Sequence, residues 1–304
     1  LTAEQKEILS VQGQVDVLYS LPQIGRFRGS IFTQVQGWSA VFRVIPGSIP
    51  TLDDLGLPPS IERLARLQNG LVLVTGPTGS GKSTTLAALV RQINQTSARH
   101  IITVEDPIEY VHEPVRSRIT QRQVGKHVES FGAALRSALR EAPDVLVIGE
   151  MRDSETIQLA LSAAETGVLV FGTLHTNTAA RAVDRILDTL SEDIREHARG
   201  VLSVLLRAVL AQRLLRRATG EGRVAAVEVL LGSTALGHMI REGKTHQIEG
   251  TLQSANDLQG SLGFDNCLFR LAKERLVGAD EAVAFARVPD ALRRRLSEMP
   301  RDDQ

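Results

Sequence analysis

Hydrophobic and polar positions fall into two regimes along the chain. Up to residue 46 the apolar residues alternate with polar ones in short runs, Val15 to Tyr19, Arg26 to Phe32 and Trp38 to Ile45, separated by Gly and Pro. That period of two predicts a small β-rich domain over 1–46. Pro46, Gly47, Pro50, Pro58 and Pro59 punctuate the next stretch, which reads as a linker over 47–59. From Ser60 the pattern changes. Compact apolar runs at Leu71–Val74, His100–Val104, Val145–Ile148 and Val168–Phe171 alternate with segments whose apolar residues recur every three to four positions. Leu86, Leu89, Val90 and Ile93 mark one such helix. Phe131, Leu135, Ala138 and Leu139 mark another within about Ser130–Glu141, and a third runs from a cap at Asp153 to Ala164. A short helix, Ile61–Gln68, precedes them. Strands alternating with helices of this length predict right-handed crossovers and a parallel sheet covered on both faces, an α/β domain over 60–304.

Beyond Thr176 the pattern is mainly helical. Val183, Ile186, Leu187 and Leu190 form one apolar face, and Val201, Leu202, Leu205, Leu206, Val209 and Leu210 a broader one. Arg213–Leu231 reads as a hairpin turning at Gly220–Gly222, and a helical part follows over about 232–304, interrupted near Gly260 and Gly263, with a charged tail from Arg293. No repeat or low-complexity segment interrupts this order.

Composition narrows the picture by exclusion. The 304 residues carry 35 Lys+Arg and 35 Asp+Glu, so overall charge directs the chain to neither nucleic acid nor an anionic membrane. A single cysteine, Cys267, excludes an internal disulfide and a multi-cysteine zinc site, which suits a reducing cytosol. No apolar run approaches the length of a membrane span, and the expectation is a soluble segment. The first residue is Leu, not Met, so a missing N-terminal piece is expected.

The densest chemistry follows the first apolar run. Gly76–Ser83 fits G-x-x-x-x-G-K-[ST] between a strand and a helix, the context that gives this pattern its meaning. Glycines at 76, 79 and 81 admit backbone angles closed to other residues and bring amides close to an anion. The helix that follows aims its unpaired N–H groups and its positive end at the same point. Gly76, Pro77, Thr78, Gly79, Ser80, Gly81, Lys82, Ser83 and Thr84 are therefore the candidate nucleotide-binding set. Lys82 is the β/γ-phosphate contact and Ser83 the Mg²⁺ ligand.

Each remaining core strand also ends in polar chemistry: Glu105 to Glu109, Gly149 to Asp153, and Gly172 to Thr176. Alone, each is an ordinary cap or solvated turn, but several on one edge beside a phosphate loop point to a site. Phosphoryl transfer needs held charge, a metal bridge and an oriented water. Glu150 is the candidate to polarise that water and, with Ser83, the candidate on the metal side. Glu105 and Glu109 form a second acidic pair that fits either Mg²⁺ support or sharing of the water. His175 fits a γ-phosphate sensor or a structural histidine. Arg152 and Asp153 either pair with each other, or Asp153 serves only as a cap.

These residues resemble the secretion ATPases of type II secretion and type IV pili, most closely the PilT-like pilus retraction ATPases. The resemblance covers nearly the whole chain. It is carried by the Walker A loop Gly76–Ser83, an Asp box from Ile102 to Tyr110, a Walker B stretch from Leu139 to Asp153, the most specific of the four, and a His box from Gly172 to Thr176. It implies a RecA-like P-loop motor domain preceded by a truncated PAS-like α+β domain. It implies Glu150 as the Walker B glutamate, Glu109 as a carboxylate assisting hydrolysis and His175 as the His-box histidine. It further implies a homohexamer with ATP between protomers, where Arg28 and Arg43 of a neighbour complete the site. Function by resemblance is Mg²⁺-dependent ATP hydrolysis driving pilus retraction and twitching motility, in the cytoplasm and peripheral to the inner membrane, on a membrane platform protein.

Two departures separate subfamilies. The four-cysteine zinc module usual in extension and secretion ATPases is missing, which favours retraction. The retraction motif Ala-Ile-Arg-Asn-Leu-Ile-Arg-Glu appears altered, as Ala235-Leu-Gly-His-Met-Ile-Arg-Glu242. A pilus-extension or type II secretion ATPase is the alternative. A nucleic-acid translocase ranks lower: Arg213, Arg216, Arg217 and Arg293–Arg295 are basic clusters, but there is no aromatic stacking platform. A non-hydrolysing nucleotide-bound regulator conflicts with the full set of acids.

Overall fold

The computed structural model describes residues 1–21, 23–45, 47–254 and 260–298. Pro46 and the end of the charged tail lie outside the described residues. Contacts divide the chain into two units, one of Leu1–Ile49 with Glu109–Val111, the other of Pro50–Ile108 with the residues from His112 onward.

The first unit opens with a helix that its sparse apolar content hid. Thr2 caps α1 (Ala3–Gln12) in a reciprocal box, accepting from the Gln5 amide while the Gln5 side chain accepts from the Thr2 amide. Gly13, at φ 75°, ends it. The β-rich expectation for 1–46 is thus corrected at its start. Only Leu9 of α1 is fully buried, so the segment lacks a helical stripe and its signal sits in the cap. A meander follows: β1 (Gln14–Leu21), β2 (Gly25–Gln34) and β3 (Gly37–Ile45), antiparallel throughout. Leu9, Val15 and Val17, flanked by Ile8 and Ile31, form its small core.

In the second unit, Pro59–Glu62 forms a single helical turn, α2, and Arg63–Arg66 tightens into a 3₁₀ turn, not the continuous helix expected to Gln68. Leu52 and Leu57, within the Pro/Gly-punctuated stretch, are buried in this unit's core. The elements then run β4 (Gly70–Thr75), α3 (Lys82–Thr96), β5 (His100–Glu105), β6 (Arg118–Gln123), α4 (Phe131–Ala138), β7 (Val145–Ile148), α5 (Ser154–Glu165), β8 (Leu169–Thr173), α6 (Ala179–Thr189) and α7 (Glu192–Leu205). After these come β9 (Leu206–Arg216), β10 (Arg223–Leu231), α8 (Thr234–Arg241), α9 (His246–Ser254), α10 (Phe264–Lys273), α11 (Ala279–Phe285) and α12 (Pro289–Ser297).

The strands form one sheet in the order β10-β9-β4-β8-β7-β5-β6, parallel except for the β9–β10 pair. β4, β7 and β8 are buried along their whole length, and apart from the terminal Thr75 and Thr173 they carry no polar side chain, as suits strands covered on both faces. One hydrophobic layer includes Leu89 and Ile93 of α3 with Leu268 and Leu271 of α10. The other includes Leu135 of α4, Ile157 of α5, Ile186 of α6 and Ile240 of α8.

Two assignments change at this level. The broad helical face expected over Val201–Leu210 breaks at Leu205, and Leu206 onward is strand, paired with β4 on one side and β10 on the other. A short apolar run fits either period, and here the sheet decides. β6 was not foreseen, because Arg118-Ile-Thr-Gln-Arg-Gln123 is an edge strand whose pairing is with β5 alone and which has a single apolar residue.

Candidate active site

β4, β8, β7 and β5 are mutually parallel, so the segments that follow them leave from one edge of the sheet. At the end of β4 the chain makes a glycine loop and enters α3, with Gly76, Gly79 and Gly81 at φ 144°, 79° and 90°. Side chains are excluded at Gly76 by packing as well as by angle. A Cβ there would lie 2.3 Å from the Gln212 carbonyl oxygen of β9. Lys82, 9% exposed, folds over the loop and donates from Nζ to the carbonyls of Gly76 at 2.8 Å and Pro77 at 3.1 Å. Ser83 is exposed at the first turn of α3. Thr75, fully buried at the end of β4, ties this loop to the one after β8, because its hydroxyl accepts from the Thr176 amide at 2.8 Å.

The acids gather beside it. Glu150 follows β7, where Gly149 allows the chain to pass against β5; a Cβ at 149 would stand 3.1 Å from Glu105 Cα. Glu150 Oε1 takes two partners, Arg152 Nε and, at 3.0 Å, His175 Nε2. Burial pushes the Glu150 carboxyl up. The Arg152 hydrogen bond and the charges of His175 and Arg152 more than offset this and hold it below the usual carboxylate range. Arg152 is raised in turn by Glu150. Glu105 Oε1 accepts from the Thr103 hydroxyl at 2.7 Å and from Gln121 Nε2 at 3.1 Å. Glu105, Asp106, Glu150 and Arg152, with Pro107, Phe131 and Gly149, line a small cleft of about 70 Å³.

The edge therefore carries Glu105, Glu150 and His175 at the ends of β5, β7 and β8, of which β8 adjoins the strand that leads into the phosphate loop. Asp153 does not pair with Arg152. It caps α5, accepting from the Thr156 amide at 2.8 Å, while Arg152 turns to Glu150. Arg28, Arg43 and Glu109 belong to the first unit. There Arg28 and Arg43 stand directly opposite each other across β2 and β3, and Arg28 reaches Asp16 at 3.5 Å. The Glu109 main-chain carbonyl accepts from Arg26 at 3.2 Å.

Two supporting residues escaped the sequence reading. Gln212, 2% exposed on β9, donates to the Ser80 carbonyl at 2.6 Å. Glu228, fully buried on β10, accepts from the Ala179 amide at the start of α6 at 2.7 Å and pairs with Arg287. Burial pushes the Glu228 carboxyl up, against the pull of Arg287. Both residues interrupt apolar runs in buried strands, and a polar side chain in such a place needs a partner. That interruption was the available signal.

Among the described residues no group of three or more His, Cys, Asp or Glu could hold a metal. A phosphate-bound Mg²⁺ does not need one, since it takes one or two protein oxygens and completes its shell with phosphate and water. The exposed Ser83 hydroxyl and the Glu150 carboxylate are chemically suited to that part.

Comparison with known proteins follows the same lines. A family described as "Type II/IV secretion system protein" matches residues 14–280. The chain is 48% identical over 278 residues to the "Twitching motility protein" of Neisseria gonorrhoeae, covering 91% of this chain and 74% of that one. It is 45% identical over 277 residues to the "Type IV pilus retractation ATPase PilT" of Pseudomonas aeruginosa, covering 91% and 80%. The crystal structure of the pilus retraction motor PilT with bound ADP matches with a TM-score of 0.87 at 44% identity, over 97% of this chain and 83% of that one.

Proposed function

The chain belongs to the type II/IV secretion system protein family, and from that membership we propose that it is a Mg²⁺-dependent ATPase motor of six subunits that retracts type IV pili. It is a nucleotide-binding, ATP-hydrolysing enzyme with a P-loop fold. The observation that carries the site reading is the placement of Glu150, at the end of β7, on the sheet edge that also bears Lys82. In this reading the loop amides and Lys82 hold the phosphates, and Ser83 would hold a Mg²⁺ that would supply neutralisation of developing charge. Glu150 orients the attacking water through Oε2, since Oε1 is engaged by Arg152 and His175. Glu105 supports the charge balance of the cleft, and His175 reports on the γ-phosphate through its hold on Glu150. Glu109 assists hydrolysis.

The first unit supports a shared site. Arg28 and Arg43 face each other with Asp16 as the one ion-pair partner among the described residues, an arrangement of like charges that a neighbour's phosphates would relieve. An arginine supplied across an interface is worth about 10³–10⁵ in rate in P-loop enzymes. Retraction would act at the inner membrane through a platform protein.

One observation favours the second reading, a motor of the same superfamily with a different task. The altered motif lies on α8, and its Gly237 sits against α7 so closely that a Cβ would be 2.5 Å from the Ser203 carbonyl. An arginine in that place requires the two helices to part, so the substitution reshapes the packing of α8.

The test has three measurements. Phosphate release must require Mg²⁺ and cease on chelation. Mass in solution must show a six-subunit ring with ATP, and Arg43→Ala must lower turnover by about a thousandfold. Expression in a piliated strain lacking its retraction ATPase must restore twitching. Full turnover by a monomer overturns the shared site. Restored pilus extension without retraction selects the second reading, and DNA-stimulated hydrolysis the translocase.

A further inference from the structure

A phosphate loop binds anions only while its peptide N–H groups point inward, and glycines do not enforce that by themselves. The peptide joining Ser80 to Gly81 turns over through ψ of Ser80 and φ of Gly81, and Gly81, in the left-handed region at φ 90°, offers little steric resistance to that rotation. Something outside the loop must hold it.

The structure assigns that task to Gln212, and the assignment rests on the loop being the nucleotide site. β9 pairs with β4 so that Ala211 lies beside Thr75, which brings the next residue, Gln212, alongside the loop. Its Nε2 donates to the Ser80 carbonyl at 2.6 Å, and its Oε1 accepts from the Thr85 hydroxyl in the first turn of α3 at 3.0 Å. A carbonyl can only accept, so the NH₂ end must face Ser80 and the amide has one orientation that satisfies both neighbours. In a trans peptide the C=O and the following N–H point in opposite directions. Holding the Ser80 carbonyl toward β9 therefore drives the Gly81 N–H to the other side, into the concave face of the loop. The Ser80 hydroxyl takes no part: it is buried without a hydrogen-bond partner. Gln212 also sets the loop's floor, through the main-chain oxygen that bars a side chain at 76.

Gln212 is thus a positioning residue for phosphate binding, acting through the 80–81 peptide and not by touching nucleotide. At 2% exposure it has no solvent role to confuse with this one. The same side chain spans the loop and the helix start, so it fixes the amide cage relative to the α3 N-terminus, the two elements that must act on one anion together.

The experiment is titration of the full chain with fluorescent AMP and ADP, for wild type, Gln212→Glu and Thr85→Val, with melting temperatures read first. Gln212→Glu has the same shape and still accepts from Thr85 but faces the Ser80 carbonyl with an oxygen. ADP affinity should fall about tenfold to a hundredfold, the scale of one unmade buried hydrogen bond. AMP should lose much less, so the ADP-over-AMP preference flattens. Acidification should return part of the ADP affinity, because a protonated carboxyl donates again. Thr85→Val frees the other end of the amide and should show a smaller loss of the same kind. An equal loss for AMP and ADP with no recovery in acid would mean general destabilisation, and ADP affinity unchanged in a folded Gln212→Glu would mean the peptide holds itself; either overturns the inference. Both are read from binding, so they stand apart from absence of hydrolysis or of retraction in the wild type, which would count against the motor and not against Gln212.

Discussion

The two halves of the site are built differently. On the phosphate side the lysine and the loop backbone are held before a ligand arrives: Lys82 is 9% exposed and bonded to two loop carbonyls, and Gln212, at 2%, pins the loop from β9. On the acid side the partners of Glu150 are exposed, with Arg152 at 75% and His175 at 44% of their side-chain surface. Such pairs are weak and easily exchanged. The first half is a preorganised grip whose cost is met on folding. The second, held by exposed partners, can rearrange around a ligand. A motor needs both, because binding must be secure in every step while hydrolysis must wait for the right one.

The contrast breaks first at Lys82. Lys82→Ala removes the one buried cation of the grip and should lower ATP turnover by at least about 10²–10³, with nucleotide affinity falling too. Phosphate release and fluorescent-nucleotide titration read both. Glu150→Gln should separate them: binding within about threefold of wild type, kcat down about 10²–10⁴, the range of a lost acid–base group. Near-normal turnover in Glu150→Gln would remove Glu150 from the water-orienting role. Glu105→Gln should cost less, about tenfold in kcat, because its carboxylate already serves Thr103 and Gln121 and acts on the reaction through the charge of the shared cleft.

The amino-acid sequence shows the same division. The loop and the strand-end acids were legible because apolar runs of four or five residues mark buried parallel strands, and their carboxyl ends must share an edge. Asp153 was legible as a cap, since the helix after it begins at the next residue. The supports were not. Gln212 and Glu228 lie inside β9 and β10, and the run from Val201 to Leu210 fits a helix as well as a strand until the sheet claims Leu206 onward. β6 has too little apolar content to announce itself, and α1 has a cap but no stripe. In each case the missing term was the partner: a strand's neighbour, or the carbonyl that a buried amide exists to hold.

The finest test concerns the exposed half. Burial alone would raise Glu150 above the ordinary carboxylate value, and Arg152 is the first of the groups that reverse this. Arg152→Gln deletes that bond and that charge, so the Glu150 pKa should climb. A carboxylate that orients water must be ionised, and a higher pKa means that ionisation is lost sooner on acidification. The acid limb of the kcat–pH profile should therefore move to higher pH, with kcat near neutrality changed only about twofold to threefold. Linkage runs the same way. In the wild type the depressed pKa adds stability above the unfolded carboxylate's pKa, and that stability is lost as pH falls through the folded value, so the variant should also be less stable near neutrality. The effect should shrink in high salt, because Arg152 is three-quarters exposed and its attraction is screened. An acid limb that stays in place when Arg152 is gone would mean that the group titrating during turnover is not Glu150, and the adjustable half of the site would have to be centred on Glu105.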